Sequence, residues 1–231
     1  MLNEAVEEFI RLLKQSPRGA VFNPWRDVDL ESDIARQAPR IRRRQLQAYL
    51  TVRLRTARLA VIGEALGYRG GRFTGIPMTS ERILLGRSRS IQVEAKDLLG
   101  KVRPRRTSKP QICRDGFSEP TATIVWRSLL ELGLSPNKFV LWNAFPWHSF
   151  NRDCGMLSNR MPNRDECAAG LPLLKALLDL FPFEQVVALG QVAAAQLEKI
   201  DILMGCVRHP ASGGAKLFRE QIARMVRSRN D

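Results

Sequence analysis

Three side chains capable of catalysis follow short apolar runs in the sequence. Glu64, Asn143 and His209 each stand at or just after the end of such a run. Apolar runs of this length are typical of buried parallel strands. The carboxyl ends of parallel strands lie at one edge of a sheet, so we expect the carboxylate, the amide and the imidazole to meet there. Because this set can act as a base, a hydrogen-bonding reader and a donor, it predicts an active site at that edge.

The elements that would position these side chains alternate between strands and helices. Apolar runs predict the strands, and amphipathic stretches between them predict the helices. This alternation favours an α/β fold, a three-layer α/β/α sandwich around a central, mostly parallel four-stranded sheet. The predicted strands span residues 58–64, 138–143, 185–190 and 202–207, and the predicted helices span residues 121–133, 166–180, 191–199 and 215–228.

The first part of the chain lacks this alternation. It predicts a helical N-terminal extension, residues 1–57, packed on a core domain of residues 58–231. Residues 2–15 have the spacing of an amphipathic helix. Residues 41–58 predict an arginine-rich helix, whose charges we interpret as a solvated face rather than a DNA contact. Residues 100–120 are basic and rich in proline, which predicts a long loop.

The composition limits the partners that this chain can have. Its 231 residues include 37 Lys and Arg but only 23 Asp and Glu, which gives a net charge of +14. This excess predicts a polyanionic partner, with nucleic acid as the first candidate and an anionic membrane surface as the second. No run approaches the ~20 apolar residues of a membrane-spanning helix, and the acidic N-terminus is unlike a signal peptide. We therefore expect a soluble, cytoplasmic protein that does not bind membranes.

Metal binding is disfavoured by the same composition. The four cysteines form no Cys-x-x-Cys pair, and the chain has only two histidines. Ligand sets for zinc usually show closely spaced pairs of these residues. We expect no metal site and four reduced thiols.

Several short segments carry a family resemblance. Residues 63–67 read Gly-Glu-Ala-Leu-Gly, and residues 71–75 read Gly-Arg-Phe-Thr-Gly. Residues 143–148 read Asn-Ala-Phe-Pro-Trp-His, and residues 208–211 read Arg-His-Pro-Ala. Taken together and in this order, they resemble the motifs of the uracil-DNA glycosylase superfamily, in its bacterial Gly-Glu-Ala-x-Gly branch. The cysteines of the iron–sulfur members are missing, so we expect no cluster and no other cofactor.

The resemblance implies a role for each site residue. Glu64 would stabilise the sugar cation or orient the attacking water. His209 would donate a hydrogen bond to the base oxygen on which negative charge grows. Asn143 would read the base edge, and its amide suits uracil in one orientation and cytosine in the other. Phe73 would stack on the base. Gly67, where strict uracil enzymes have a tyrosine, would leave room for groups at carbon 5.

The resemblance also places DNA contacts around the last motif. A glycine-rich segment leads into a helix there, and backbone N–H groups in such segments can approach a phosphate. Leu217 or Phe218 would either insert into DNA as a wedge or belong to the helix core. His148 begins a polar, basic loop that would either border the DNA path or be structural. The residues expected to contact DNA are Ser212, Lys216 and Arg72.

The implied function is that of a DNA glycosylase, which flips a base out of DNA and hydrolyses its bond to the sugar, leaving an abasic site. We favour uracil or a related deaminated base, as in DNA repair. An antiviral defence enzyme that removes a hypermodified base, such as glucosylated hydroxymethylcytosine, from phage DNA would resemble this sequence too. A non-catalytic DNA-binding protein on the same fold is a third interpretation, which the joint presence of Glu64, Asn143 and His209 disfavours. We expect a monomer whose partner is DNA.

Overall fold

A four-stranded parallel sheet forms the centre of the computed structural model, which describes residues 2–227. The strands are β1 (Val21–Phe22), β2 (Leu59–Ala65), β3 (Phe139–Phe145), β4 (His148–Ser149), β5 (Gln185–Leu189) and β6 (Gly205–Val207). The central sheet has the spatial order β3-β2-β5-β6, and all of its pairs are parallel. Strands β1 and β4 form a separate antiparallel pair that the sequence pattern does not predict.

Helices flank this sheet, so the predicted α/β class and four-stranded parallel sheet are confirmed. The helices are α1 (Leu2–Leu13), α2 (Ala38–Thr51), α3 (Gly71–Thr74), α4 (Glu81–Leu84), α5 (Ala95–Leu99), α6 (Pro120–Glu131), α7 (Arg164–Asp179), α8 (Gln191–Glu198) and α9 (Ala215–Arg227). Six of them match predicted helices, although α2 ends at Thr51 rather than at residue 58, and residue 228 of the last predicted helix lies outside the described residues. The short helices α3 to α5 carry too few residues for a periodic pattern.

The pairing register brings the strand ends together. Gly63 of β2 pairs with Asn143 of β3, and Leu189 of β5 pairs with Val207 of β6. Strands β2 and β5 are themselves neighbours. The carboxyl ends of the four strands therefore lie at one edge of the sheet, as the predicted site requires.

The sheet is buried because its strands are apolar throughout. All seven residues of β3 are buried, as are the first five of β2, which fits parallel strands covered on both faces. The N-terminal segment belongs to the same core: Val6, Phe9 and Leu46 pack in one cluster with the strands. The described part of residues 1–57 thus packs directly on the sheet domain.

The arginines of the predicted 41–58 helix are not all solvated. Arg44 is exposed, but Arg42 and Arg53 are fully buried, so their interpretation as part of a solvated face is wrong. Arg42 forms an ion pair with Asp33, which is also buried. Arg53 donates hydrogen bonds of 2.7–3.1 Å to the backbone carbonyls of Tyr49, Leu98, Pro136 and Phe139. A guanidinium can be buried in this way because internal acceptors satisfy its N–H groups.

Candidate active site

A cavity of about 420 Å³ opens at the carboxyl edge of the sheet. Glu64, Asn143 and His209 all line it. They come from three different segments, β2, β3 and the turn after β6, and the parallel register is what brings them together. The cavity therefore combines a carboxylate, an amide and an imidazole, which is the set expected from the sequence.

Glu64 is the penultimate residue of β2 and is partly buried. Its side chain has no hydrogen-bond or ion-pair partner among residues 2–227. Burial raises the pKa of this carboxyl above its ordinary value, because a low-dielectric surrounding disfavours the charged form. Such a carboxylate is a stronger base than an exposed one, and it is free to bind water or a developing cation.

His209 is held in a defined tautomer. The backbone N–H of Ala211 donates to its Nδ1 at 3.1 Å, so the ring proton lies on Nε2. Burial, and then the positive charge of Arg208, lower the pKa of His209, so the imidazole is neutral near pH 7. Gly190, whose φ is +90°, packs against His209. A Cβ at position 190 would lie only 3.2 Å from the Cβ of His209. The result is a neutral ring with one N–H to donate.

Asn143 presents an unused acceptor. The residue is 3% exposed, and its Oδ1 is shielded from solvent without a hydrogen-bond partner among the described residues. Its Nδ2 lies over Gly63, where a Cβ would be only 2.8 Å away. Buried polar atoms in folded proteins usually have partners, so this oxygen is suited to accept a hydrogen bond from a ligand.

Phe73 does not occupy the place predicted for it. It is fully buried in α3, does not line the cavity, and stacks on Phe117 with ring centroids 4.6 Å apart. The prediction that Phe73 stacks on a base is wrong in this structure, because its ring is used in the core. Met78 lines the cavity instead, with a left-handed φ of 47° that is uncommon for a residue other than glycine. Nothing in the sequence marks Met78, since an isolated methionine carries no chemical signal.

Gly67 does not leave the open space expected of it. A Cβ at this position would lie 2.9 Å from Oε1 of Glu119, which fills the region and lines the cavity. The reason is a long-range contact: Glu119 lies in the segment before α6, and its carboxyl packs against the turn that contains Gly67 and Gly70. Neither motif pattern nor periodicity indicates this contact.

Arg72 cannot contact DNA in this arrangement. It is fully buried, forms an ion pair with Asp29, and lies over the rings of Phe22 and Phe73 at 4.6 Å and 4.4 Å from their centroids. The predicted nucleic-acid role of Arg72 is therefore wrong, because its charge is neutralised inside the protein. Its position in the second motif gives no sign of this, since Asp29 lies in the N-terminal segment.

The residues after His209 border the cavity, and Ala211 lines it. Ser212 directly follows Ala211 with a left-handed φ of 52°, and Lys216 lies in the first turn of α9. Both are exposed, and their contact with DNA stays a prediction. Phe218 is fully buried and belongs to the helix core, whereas Leu217 is 45% exposed. Of the two wedge candidates, only Leu217 is available to a partner.

His148 is structural rather than part of a DNA-binding rim. It is fully buried, and its Nδ1 and Nε2 lie 3.0 Å from the carbonyl oxygens of Leu66 and Met156 respectively. Burial lowers the pKa of His148 to about 4, so the ring is neutral at pH 7 and its single N–H donates to only one of these two carbonyls. His148 connects the first motif to the loop that follows β4.

Residues 2–227 contain no group of three or more His, Cys, Asp or Glu side chains that could hold a metal ion. The four cysteines are free thiols. None of the helices among these residues is both long and apolar enough to cross a membrane.

Comparisons with known proteins identify the family. The family model of the uracil DNA glycosylase superfamily matches residues 51–226. No curated protein sequence matches the chain significantly. Among solved structures, wild-type SMUG2 from Pedobacter heparinus aligns over 98% of each chain with a TM-score of 0.59 and 13% identity, a likeness of fold. Because the family model covers most of its length, the chain belongs to the uracil DNA glycosylase superfamily.

Proposed function

We propose that this protein removes uracil, or a related deaminated base, from DNA by hydrolysing the bond between the base and deoxyribose. Members of the superfamily are DNA glycosylases. The observation that carries the proposal for this chain is that Glu64, Asn143 and His209 line one cavity and that none of their key atoms is engaged elsewhere. A base flipped from DNA would enter this cavity.

The proposed reaction divides the work among these side chains. The bond from the sugar carbon C1′ to the base nitrogen breaks, and its electron pair leaves with the base. Water attacks C1′ and passes a proton to the Glu64 carboxylate, which also stabilises positive charge on the sugar. The Nε2–H of His209 donates a hydrogen bond to the base oxygen that becomes negative. A neutral imidazole is sufficient for this role, since the donor is the N–H group.

The reaction requires Glu64 in its ionised form. Because burial raises the pKa of this carboxyl, activity should fall on the acid side at a higher pH than an exposed glutamate would give. The sign follows from protonation: acid neutralises the base that receives the water proton.

One observation favours an unmodified or deaminated base over a hypermodified one, whereas the Asn143 amide, which can donate or accept, suits either. The space beside Gly67, which would have accommodated a large substituent, is filled by Glu119. Excision of glucosylated hydroxymethylcytosine is therefore the weaker candidate. A non-catalytic binder would need none of the three cavity residues in its pocket.

The test is base release from a panel of oligonucleotides and phage DNAs, measured as alkali-labile abasic sites. The panel carries uracil, hypoxanthine, xanthine, hydroxymethyluracil, and plain or glucosylated hydroxymethylcytosine. We expect release of uracil or another deaminated base. Glu64→Gln and His209→Ala should each lower the rate by about 10²- to 10⁴-fold, while DNA binding is retained.

The matched control is Glu220→Gln, which removes the charge of an exposed glutamate in α9 that does not line the cavity. This variant should release base at the wild-type rate. Release confined to glucosylated DNA would overturn the repair assignment in favour of defence. No release from any substrate, with DNA binding intact, would favour the non-catalytic binder.

A further inference from the structure

Glu119 is a carboxyl group in the cavity that none of the resemblance motifs includes. It directly precedes α6 and lines the same cavity as Asn143 and Glu64. Its Oε1 lies 2.9 Å from the place where a Cβ of Gly67 would be, and its Oε2 is still nearer to the corresponding place at Gly70. Both positions must therefore be glycine if the carboxyl is to lie here.

The hydrogen bonding of this carboxyl is incomplete. Oε2 is shielded from solvent and has no hydrogen-bond partner among residues 2–227, although the residue as a whole is only partly buried. No lysine or arginine in that part of the chain forms an ion pair with it. Leaving a buried polar atom without a partner destabilises the fold by about 1–3 kcal/mol. Such an atom in a ligand cavity points to a contact that forms only when the ligand is bound.

The ionisation of Glu119 supports the same interpretation. Burial raises the pKa of its carboxyl to about 7, so both the protonated and the ionised forms are accessible near neutral pH. The group can therefore donate or accept a hydrogen bond, according to the edge that a base presents.

We propose that Glu119 determines which bases the cavity admits: its side chain closes the cavity beside Gly67 and Gly70, and its carboxyl group hydrogen-bonds the flipped base. This inference rests on the proposed function, since it assumes that the ligand is a base. It adds a specificity-determining residue from the segment before α6 to the three residues at the strand ends. The expected substrates are small bases with a polar group on the side that faces Glu119.

Two variants separate the two parts of the proposal. Glu119→Ala removes both the wall and the hydrogen-bonding atom. Glu119→Met keeps a side chain of similar length but removes the charge and the hydrogen-bonding oxygens. Thermal unfolding of both variants, with Glu220→Gln as the reference, verifies that the proteins compared are folded.

The measurement is the affinity for oligonucleotides that resist hydrolysis because the target nucleotide carries a 2′-fluoro substituent. The target base is uracil, 5-methyluracil, 5-hydroxymethyluracil or hypoxanthine, and unmodified DNA gives the reference affinity. The wild type should prefer uracil to the enlarged pyrimidines. Glu119→Ala should reduce this preference at least tenfold, whereas Glu119→Met should keep it and bind uracil several-fold more weakly.

Each alternative outcome contradicts a stated claim. If Glu119→Ala keeps the wild-type preference for uracil, the claim that the Glu119 side chain closes the cavity is wrong. It is also wrong if both variants lose this preference equally. Unchanged uracil affinity in Glu119→Met would overturn the hydrogen bond. Base-dependent binding that responds to Glu119 without any base release would overturn only the proposed catalysis. If the wild type binds every oligonucleotide equally, the role of Glu119 is wrong, and the proposed catalysis is wrong only if no base is released either.

Discussion

Two regions of this protein bury polar side chains in opposite ways. Next to α2, Arg53 is fully buried, and all three of its guanidinium nitrogens donate to backbone carbonyls. In the cavity at the other end of β3, Asn143 Oδ1 and Glu119 Oε2 are shielded from solvent but have no partner in the described part of the chain. The first region follows the usual rule for buried polar groups. The second departs from it at the place where a ligand would bind.

This difference suggests how to separate structural from functional polar groups where the unpartnered atom belongs to a cavity-lining residue, since buried atoms of Arg72, Ser80 and Trp142 lack partners away from the cavity. A buried group whose donors are all satisfied contributes to stability and specifies packing. A buried group without a partner reduces stability unless something else completes its hydrogen bonding. If the comparison is correct, substitutions in the first region should change stability and substitutions in the second should change activity.

The largest expected effect is on stability, from Arg53→Met. The substitution keeps an unbranched apolar stem but leaves several buried carbonyls without donors, so we expect a loss of about 3–5 kcal/mol in the free energy of unfolding. Urea denaturation measures it. The matched control is Arg44→Met in α2, where the arginine is exposed, and its effect should stay within about 0.5 kcal/mol. A loss near 1 kcal/mol for Arg53→Met would show that water or other groups replace the missing donors.

The opposite behaviour is expected of Asn143→Ala. No hydrogen bond of this side chain is lost among the described residues, and the cavity beside it is already open, so stability should change by less than about 1 kcal/mol. Base release should fall roughly tenfold to a hundredfold, because a hydrogen bond to the base is lost. Single-turnover rates and urea denaturation of the same preparation measure both quantities. A large loss of stability without a change in rate would reverse the comparison.

The sequence predicts the backbone framework of the site much better than its walls. Apolar runs identify the four strands, and parallel pairing then dictates that Glu64, Asn143 and His209 share one edge. The direction of a side chain in a segment without periodicity is not encoded in this way. Phe73 and Met78 lie in such a segment, and the structure uses the phenylalanine in the core and the methionine in the cavity.

Long-range pairs account for the other errors. Arg72 is buried because Asp29, from the N-terminal segment, neutralises it. Gly67 has no open space beside it because Glu119, from the segment before α6, fills that space. A single sequence shows the charge of Arg72 and the small size of Gly67, but it does not show which distant residue each one meets. The same limit applies to Arg42 and its buried partner.

The third prediction concerns pH and Glu119→Gln. An unfolded glutamate ionises near its ordinary pKa of 4.5, whereas burial raises the pKa of Glu119 in the folded protein to about 7. Between these values the unfolded chain loses its proton first, so this group lowers wild-type stability as the pH rises. Glutamine has no such proton. The stability of Glu119→Gln relative to the wild type should therefore increase between pH 5 and pH 8, by roughly 1–3 kcal/mol. A difference that stays constant with pH in urea denaturation would mean that the carboxyl ionises normally.

The smallest expected effect extends the comparison to the surface. Lys216 is exposed in the first turn of α9, which follows the cavity-lining Ala211, and has no carboxylate partner in residues 2–227, whereas Lys175 of α7 lies 3.6 Å from Asp179. An unpaired lysine near the cavity can bind a DNA phosphate and release a counterion. Lys216→Met should weaken DNA binding a few-fold and reduce the slope of log affinity against log salt by about one. Lys175→Met should leave that slope unchanged. Equal slopes for both variants would mean that DNA approaches the cavity from another side, and that the unpaired state of Lys216 has no role in binding.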